Sequence, residues 1–377
     1  KVEREINGTD LKTEVTTFVP VETSDKIELT RVKITNTGAS AITFTPTAAT
    51  PIYGRSADNI RDHRNVTSML NRMSVTEYGI TNDPTLTFDE RGHRKNKVIY
   101  GFFASEADGT KPVSFCPIAE DFIGEGGAFD NPRFPVTGTP ASLPGTRADG
   151  FEAMGAAQFA KKTLAPGESA EYVFALVIND MTKPSDNEAD IKAESASIQD
   201  MAVKYLTGDV FESELEKNKE YWDKKNNVSF HTGDKAFDSW MYWVGVQPML
   251  RRIYGCSFLP HHDYGKGGRG WRDLWQDCLA LIIMDPSDVR GMLVDNFGGV
   301  RTDGTNATII GSGSGEFIAD RNGITRVWMD HAMWPFMTMD LYIKQTGDLK
   351  ILDETAPYFI DRQVMRGEEL LDKDTDL

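Results

Sequence analysis

Between Ile27 and Phe44 the chain reads IELTRVKITNTGASAITF, two β-branched stretches with partial apolar and polar alternation on either side of Asn36-Thr37-Gly38. Alternation at period two sends successive side chains to opposite faces of a sheet, so the pattern predicts two strands joined by a turn, a β-hairpin. Val98 to Ala104, the Ala157 to Ala160 region and Tyr172 to Ile178 read the same way, with Leu164-Ala165-Pro166-Gly167-Glu168 as a turn between the last two. Short strands, turn-rich connectors and no alternating helices predict an antiparallel β-sandwich over residues 1–185.

The period changes near Asn187. From there to Asn226 the residues are charged and helix-forming, ending in SELEKNKEYWDKK, which predicts a helical linker over residues 186–230. Beyond it, Ala236 to Arg252, Asp273 to Met284 and Arg326 to Thr346 read as apolar helices separated by Gly- and Asn-rich loops, so residues 231–377 are expected to form an all-helical second domain. Two domains also suit a chain of 377 residues, because single cores stop growing near roughly 250 to 300 residues.

Charge narrows the partners. Asp and Glu outnumber Lys and Arg by 57 to 41, and a net charge of -16 repels nucleic-acid phosphates, so no nucleic acid is expected. No uncharged apolar run approaches the roughly 18 to 20 residues of a membrane span, which points to a soluble protein without a membrane partner. Cys116, Cys256 and Cys278 are widely spaced with no CxxC pair, which indicates neither a disulfide framework nor a zinc site and suits the reducing cytoplasm. Lys1 opens a strand-like stretch without a signal peptide and the last residues follow a helical pattern, so the chain is expected to be a fragment cut at both ends.

Against an acidic background, the stretch YGKGGRGWRDLWQD from Tyr264 to Asp277 stands out, because Lys266, Arg269 and Arg272 lie among four glycines. Glycine lets a ligand approach the backbone and Arg suits bidentate contacts, so this is a candidate anion pocket; a solvated loop with locally paired charges is the equal alternative. It lacks GxxxxGK[ST] and is no phosphate-binding P-loop. Trp271, Trp275, Trp240 and Trp243 fit either sugar stacking or helix core, with core favoured for Trp240 and Trp243. His261, His262 and Asp263 are adjacent, a poor geometry for one ion, and no metal is expected. The polar loop Arg301 to Asn306 and GSGSGEF from Gly311 to Phe317 read as sugar-subsite loops or plain connectors. Asp330 and His331 sit at the start of an apolar helix, as helix-start contacts or as site groups facing a cavity.

Together these residues resemble the inverting phosphorylases of glycoside hydrolase family 94. GRGWRDLWQD (Gly268 to Asp277) resembles the family's RGxGFRDxxQD segment, and VWMDHAMWPFMTMDLYIKQTGDLKIL (Val327 to Leu352) its acidic-pair and TGD helix. FDSWMYWVGVQ resembles the first barrel helix, and FAKKTLAPGESAEYVFAL the last sandwich strands. The resemblance implies a β-sandwich, a helical linker and the front of an (α/α)6 barrel with its active site at the mouth. It places Arg272 and Asp273 on the sugar before the scissile bond, with Trp271, Asp277, Asp330 and His331 as further substrate-binding candidates. The sequence departs from the pattern where Gly267 replaces the family's preceding Arg, which leaves phosphate binding to Lys266 or Arg269. GKGGRGWRDLWQD, DGTNATIIG and GEFIADRNGITRVWMDH look closest to the 1,2-β-oligoglucan phosphorylase branch.

The implied reaction is phosphorolysis of a β-glucan oligosaccharide, with inorganic phosphate as co-substrate and no cofactor. Phosphate is already anionic, so one general acid and a cationic cradle suffice where an inverting hydrolase needs two carboxyl groups. The family's acid lies in a Trp-Asn-Asp type segment that does not occur before Leu377, so no catalytic residue is named in this chain and the fragment alone is expected to be inactive. A hydrolase or glucan-remodelling module on the same scaffold, or a non-catalytic carbohydrate-binding protein, are the competing readings.

Overall fold

A computed structural model describes residues 1–6, 8–54, 66, 68–89, 92–226, 228–254, 269–310, 315–319, 329–360, 363–364 and 370–371. The chain divides into two compact units, Lys1–Tyr221 and Trp222–Leu377.

The first unit is built from β1 (Val2–Glu5), β2 (Leu11–Phe18), β3 (Ile27–Asn36), β4 (Ile42–Phe44), β5 (Thr47–Pro51), β6 (Arg72–Val75), β7 (Gly79–Asn82), β8 (Leu86–Asp89), β9 (Gly92–Lys95), β10 (Val98–Glu106) and β11 (Ser114–Ile118). Two short helices, α1 (Ala119–Ile123) and α2 (Arg133–Thr137), precede β12 (Arg147–Asp149), β13 (Ala153–Gln158), β14 (Lys162–Leu164) and β15 (Ser169–Asp180). An eight-stranded sheet runs in the order β1-β2-β3-β15-β10-β7-β6-β12, and smaller sheets β11-β13-β5 and β14-β4 form the facing layer. Every pairing in the large sheet is antiparallel. The antiparallel β-sandwich expected of this region is therefore present.

Both faces of the large sheet are covered, and period-two alternation distributes the residues between them. Phe102 and Tyr172 point into a core with Phe115, Ala157, Phe159 and Leu164 of the facing layer. Their neighbours Phe103 and Val173 point the other way, onto Ile198, Ala202, Leu206 and Phe211. Those residues belong to helices α3 (Glu188–Val203) and α4 (Gly208–Lys225) and the turn between them. The segment expected to be a linker thus closes the sheet's outer face.

The Ile27–Phe44 hairpin is not formed. β3 pairs with β2 and β15, whereas β4 pairs with β14 in the other layer. Buried Asn36 causes the departure: its amide nitrogen donates to Leu164 O at 2.9 Å and Ser40 O at 2.8 Å, and its backbone N–H donates to Glu168 O at 3.0 Å. These bonds tie the end of β3 to the turn before β15 and send the chain across to the facing layer.

Asp83 is the main buried charge of this unit. It is 1% exposed beside Arg72, whose Nη2 lies 2.9 Å from Oδ2. Burial pushes its carboxyl up to about 6, with Arg72 offsetting part of that cost. A carboxyl raised on folding contributes stability below its unfolded value and loses it as pH rises through about 6, a contribution on the order of 3 kcal/mol. Urea midpoints for the wild type and Asp83→Asn, measured at pH values on either side of about 6, should show a loss toward neutral pH in the wild type that the variant lacks. Identical pH slopes in the two proteins would contradict this assignment.

The second unit contains α5 (Lys235–Tyr254), β16 (Arg269–Gly270), α6 (Trp271–Met284), α7 (Val289–Phe297), β17 (Ile309–Ile310), β18 (Phe317–Ile318), α8 (Met333–Thr346), a 3-10 turn at Leu349–Asp353, and the short strands β19 (Gln363–Val364) and β20 (Leu370–Leu371). Helix α6 packs against α5, α7 and α8. Its buried stripe of Trp271, Leu274, Trp275, Cys278, Leu281 and Ile282 follows helical spacing and meets Val289, Leu293, Tyr342 and Ile351. At its far end Asp285 gathers Lys225 Nζ at 2.9 Å and Arg252 Nη1 at 3.0 Å.

Three expectations for this region are corrected. It is not all-helical, because β16, β17 and β18 form a small antiparallel sheet. Helix α8 starts at Met333, and the residues before it from 329 form a turn, with 326–328 outside the described residues. Trp240 and Trp243 are 58% and 52% exposed, because α5 buries Val246 and Met249 nearer its C-terminal end instead. No described helix is long and apolar enough to cross a membrane.

Candidate active site

The start of α6 is anchored by Trp271. Its backbone N–H donates to Thr308 O at 2.9 Å beside the β16–β17 pair, and its indole Nε1 donates to Asn296 O at 2.9 Å. Gly299 makes room for the indole: a Cβ there would lie 2.7 Å from Nε1 and 2.9 Å from the Phe317 ring. Trp271 is 2% exposed and meets Trp275 edge-on at 5.6 Å, so of the two readings left open for it, sugar stacking and helix core, its burial is that of a core residue.

With Trp271 turned inward, helical geometry carries the next two residues round toward the other side of α6. Arg272 Nη1 donates to Asp330 Oδ2 at 3.1 Å, and its Nε lies 3.8 Å from Asp273 Oδ1. Asp273 occupies the first turn, where the helix dipole favours a carboxylate, and it folds back over Gly270, where any side chain would collide with it. Asp277, one turn further along α6, is 1% exposed.

Asp330 and His331 belong to the turn before α8, closed by a Met333 N–H bond to Asp330 O at 3.1 Å. Asp330 Oδ2 also accepts Trp334 Nε1 at 3.1 Å, and this bond together with Arg272 holds the carboxyl below its usual range. His331 is 5% exposed, its ring 5.6 Å from that of Trp271, with Asn306 at Nδ1. Burial lowers its basicity, assisted by Arg272 and opposed by Asp330 and Asp273, so the ring is neutral around pH 7.

The structure therefore brings together Arg272, Asp273, Asp330 and His331, whereas Asp277 is buried one turn further along α6. Only the backbone of Arg269 is described, as half of β16, and Lys266 lies outside the described residues, as do His261, His262 and Asp263. Among the described residues no group of His, Cys, Asp and Glu gathers as a metal site. One contributor was missed: Trp334 sits four residues after Asp330, a spacing that could have flagged it. Asn306, read in the sequence only as part of a polar loop, reaches His331 across 25 positions, a pairing that no local signal marks. The loop from Arg301 is no loose connector either: Arg301 is 1% exposed and its guanidinium stacks on Phe359 at 4.9 Å. An apolar cavity of about 620 Å³, lined mainly by Val294, Phe297, Ala332, Phe336, Met339 and Leu352 with Glu354, Thr355 and Tyr358 among its polar residues, includes none of Arg272, Asp273, Asp330 and His331.

Chemically, the cluster offers a fork of N–H donors flanked by carboxylate acceptors. Facing carboxylates offset the guanidinium charge, so the arrangement suits a neutral polyol with both donor and acceptor hydroxyls better than a bare anion.

Residues 2–206 match the family model described as Glycosyl hydrolase 94, supersandwich domain, and residues 221–365 match that of the Glycosyl hydrolase 94 superfamily, catalytic domain. No curated protein sequence matches the chain. Solved structures that resemble it include one described as "Putative kojibiose phosphorylase from human microbiome", with 9% identity and a TM-score of 0.47, covering 93% of this chain and 42% of that one. Another is a polysaccharide lyase, with 9% identity and a TM-score of 0.30, covering 52% of this chain and 23% of that one. The chain thus spans less than half the length of either structure. With the two family models falling in order on the sheet-built and helix-built units, the chain belongs to glycoside hydrolase family 94.

Proposed function

We propose that the protein is an inverting phosphorylase of β-linked glucans, moving a glucosyl unit onto inorganic phosphate to give α-glucose 1-phosphate, with β-1,2-oligoglucans as preferred substrates. The observation that carries this reading is Arg272 held at the start of α6 between Asp273 and Asp330. Such a group binds sugar hydroxyls through both donors and acceptors, and its hydrogen bonds can strengthen as charge develops on the oxocarbenium-like sugar. Phosphate then falls to Lys266 and Arg269 in the glycine-rich stretch that leads into α6. Already anionic, it attacks without a general base, and a single acid protonates the leaving oxygen. No described residue is given that acid role.

Family membership supports the reaction class, and the wording of the glycine-rich stretch supports the β-1,2 preference. In this reading residues 1–185 are the sandwich, 186–230 the helical connection and 231–377 the front of the catalytic (α/α)6 barrel of a cytoplasmic enzyme that uses no cofactor beyond its co-substrate. The test is sugar release by the full-length protein from β-1,2- and β-1,4-linked oligoglucans, with and without phosphate. Phosphate-dependent formation of α-glucose 1-phosphate is expected, with sophorose-like substrates ahead of cellobiose. Equal turnover without phosphate would exclude phosphorolysis, whereas a preference for cellobiose would overturn only the linkage.

A further inference from the structure

The loop from Arg301 to Asn306 is folded around a buried cation. Arg301 N–H donates to Thr305 O at 2.7 Å, Gly304 N–H donates back to Arg301 O at 3.0 Å, and Arg301 Nη1 donates to Asn306 O at 2.5 Å. The guanidinium stacks on Phe359, and the Phe359 N–H donates to Val300 O at 2.8 Å. The loop is therefore closed at both ends, and its last residue faces inward. Asn306 Nδ2 lies 2.8 Å from His331 Nδ1, nearer than Oδ1 at 3.2 Å, and Nδ2 also donates to the adjacent Ala307 O. Both approaches are to Nδ1, so Asn306 fixes the ring through that nitrogen.

His331 follows Asp330 in a tight turn, and Asp330 is the partner of Arg272. What fixes the imidazole therefore also fixes the carboxylate that aims the guanidinium. Among the described residues, the charged groups around the ring are Asp330 in its own turn and Arg272 and Asp273 on α6; Trp271 of α6 faces it as an apolar ring, and Asn306 of the loop is neutral.

We propose that Asn306, braced by Arg301, is a positioning residue for sugar binding: it clamps the His331 ring at Nδ1 and so holds Asp330 against Arg272. This rests on the reading of that pair as a sugar subsite. Orienting partners behind a binding group set its tautomer and direction, and losing one loosens the site while its contacting residues stay in place. Asn306→Ala removes the clamp. Asn306→Asp puts a carboxylate against Nδ1, which favours the imidazolium and moves His331 titration upward by about one unit or more.

The experiment is calorimetric binding of sophorose to the full-length protein in the absence of phosphate, over about pH 5 to 8, where histidine titrates. Wild type, Asn306→Ala and Asn306→Asp are compared, with a melting curve for each. Asn306→Ala should bind sophorose about five- to tenfold more weakly across the range, the loss of one hydrogen bond, while its melting temperature stays close to the wild type. Asn306→Asp should introduce a pH dependence whose midpoint lies at least about one unit above any shown by the wild type. Equal affinities and equal pH midpoints in all three would overturn the proposal. So would parallel losses in both variants that track lowered melting temperatures, because those belong to a purely structural loop. Phosphate takes no part in the assay, so failure of phosphorolysis in the turnover assay and failure of the clamp here are separate results.

Discussion

Replacing Trp275 with alanine is expected to destabilise the second unit by about 3 to 5 kcal/mol, the usual cost of emptying a buried tryptophan site. The side chain is 0% exposed, packed edge-on between Trp271 at 5.6 Å and Phe297 at 4.8 Å, and the backbone carbonyl of the same residue accepts the Thr338 hydroxyl of α8 at 3.0 Å. Domains are stable by only about 5 to 15 kcal/mol, so the loss takes a large share of the total. Thermal melts of the full-length protein should show the transition of this unit lowered by roughly 6 to 20 °C, with Trp275→Phe falling less. An unchanged melt would mean that α6 is not the centre of the packing described above.

Arg272→Ala should act in the opposite way, with a large loss of activity and little loss of stability. Its pair with Asp330 is about two-fifths exposed on both sides, and such solvent-screened pairs contribute little to folding. If, as proposed, the same guanidinium holds the reacting sugar, the lost charge-assisted bonds are worth about 1.5 to 3 kcal/mol, so kcat/KM should fall roughly 10- to 150-fold. Arg272→Lys restores the charge without the planar fork. It should therefore stay impaired, since one ammonium cannot satisfy Asp330 and a sugar with the same geometry. Near-wild-type kcat/KM in both variants would remove Arg272 from the site.

The strands at Val98 to Ala104 and Tyr172 to Ile178 were legible because their alternation answers to two buried faces at once. The β3–β4 hairpin was misread because alternation marks a strand without naming its partner, and Asn36 decides the partner through bonds to residues more than a hundred positions away. The tryptophans were hard to read for the same reason. Trp271 beside glycines was left open between site and core and Trp240 within a helix looked buried, yet burial depends on what each helix meets, and α6 lies central where the start of α5 does not. For the site, the residue types were readable and the pairings were not. Arg272 and Asp330 are 58 positions apart, and only the turn that α8 forces at Asp330 and His331 brings them together.

The indoles have an optical consequence. All seven tryptophans lie in Trp222–Leu377, from Trp222 to Trp334, and the sandwich unit contains none. Intrinsic tryptophan emission therefore observes only the helical unit, while far-ultraviolet circular dichroism sees the strands as well. Trp334 donates its indole N–H to the same Asp330 oxygen that receives Arg272, so part of that emission originates one hydrogen bond from the candidate sugar site. A sugar that drew Arg272 away from Asp330, as the proposed function requires, would change the field on that fluorophore and give the unlabelled protein a built-in spectroscopic reporter of occupancy.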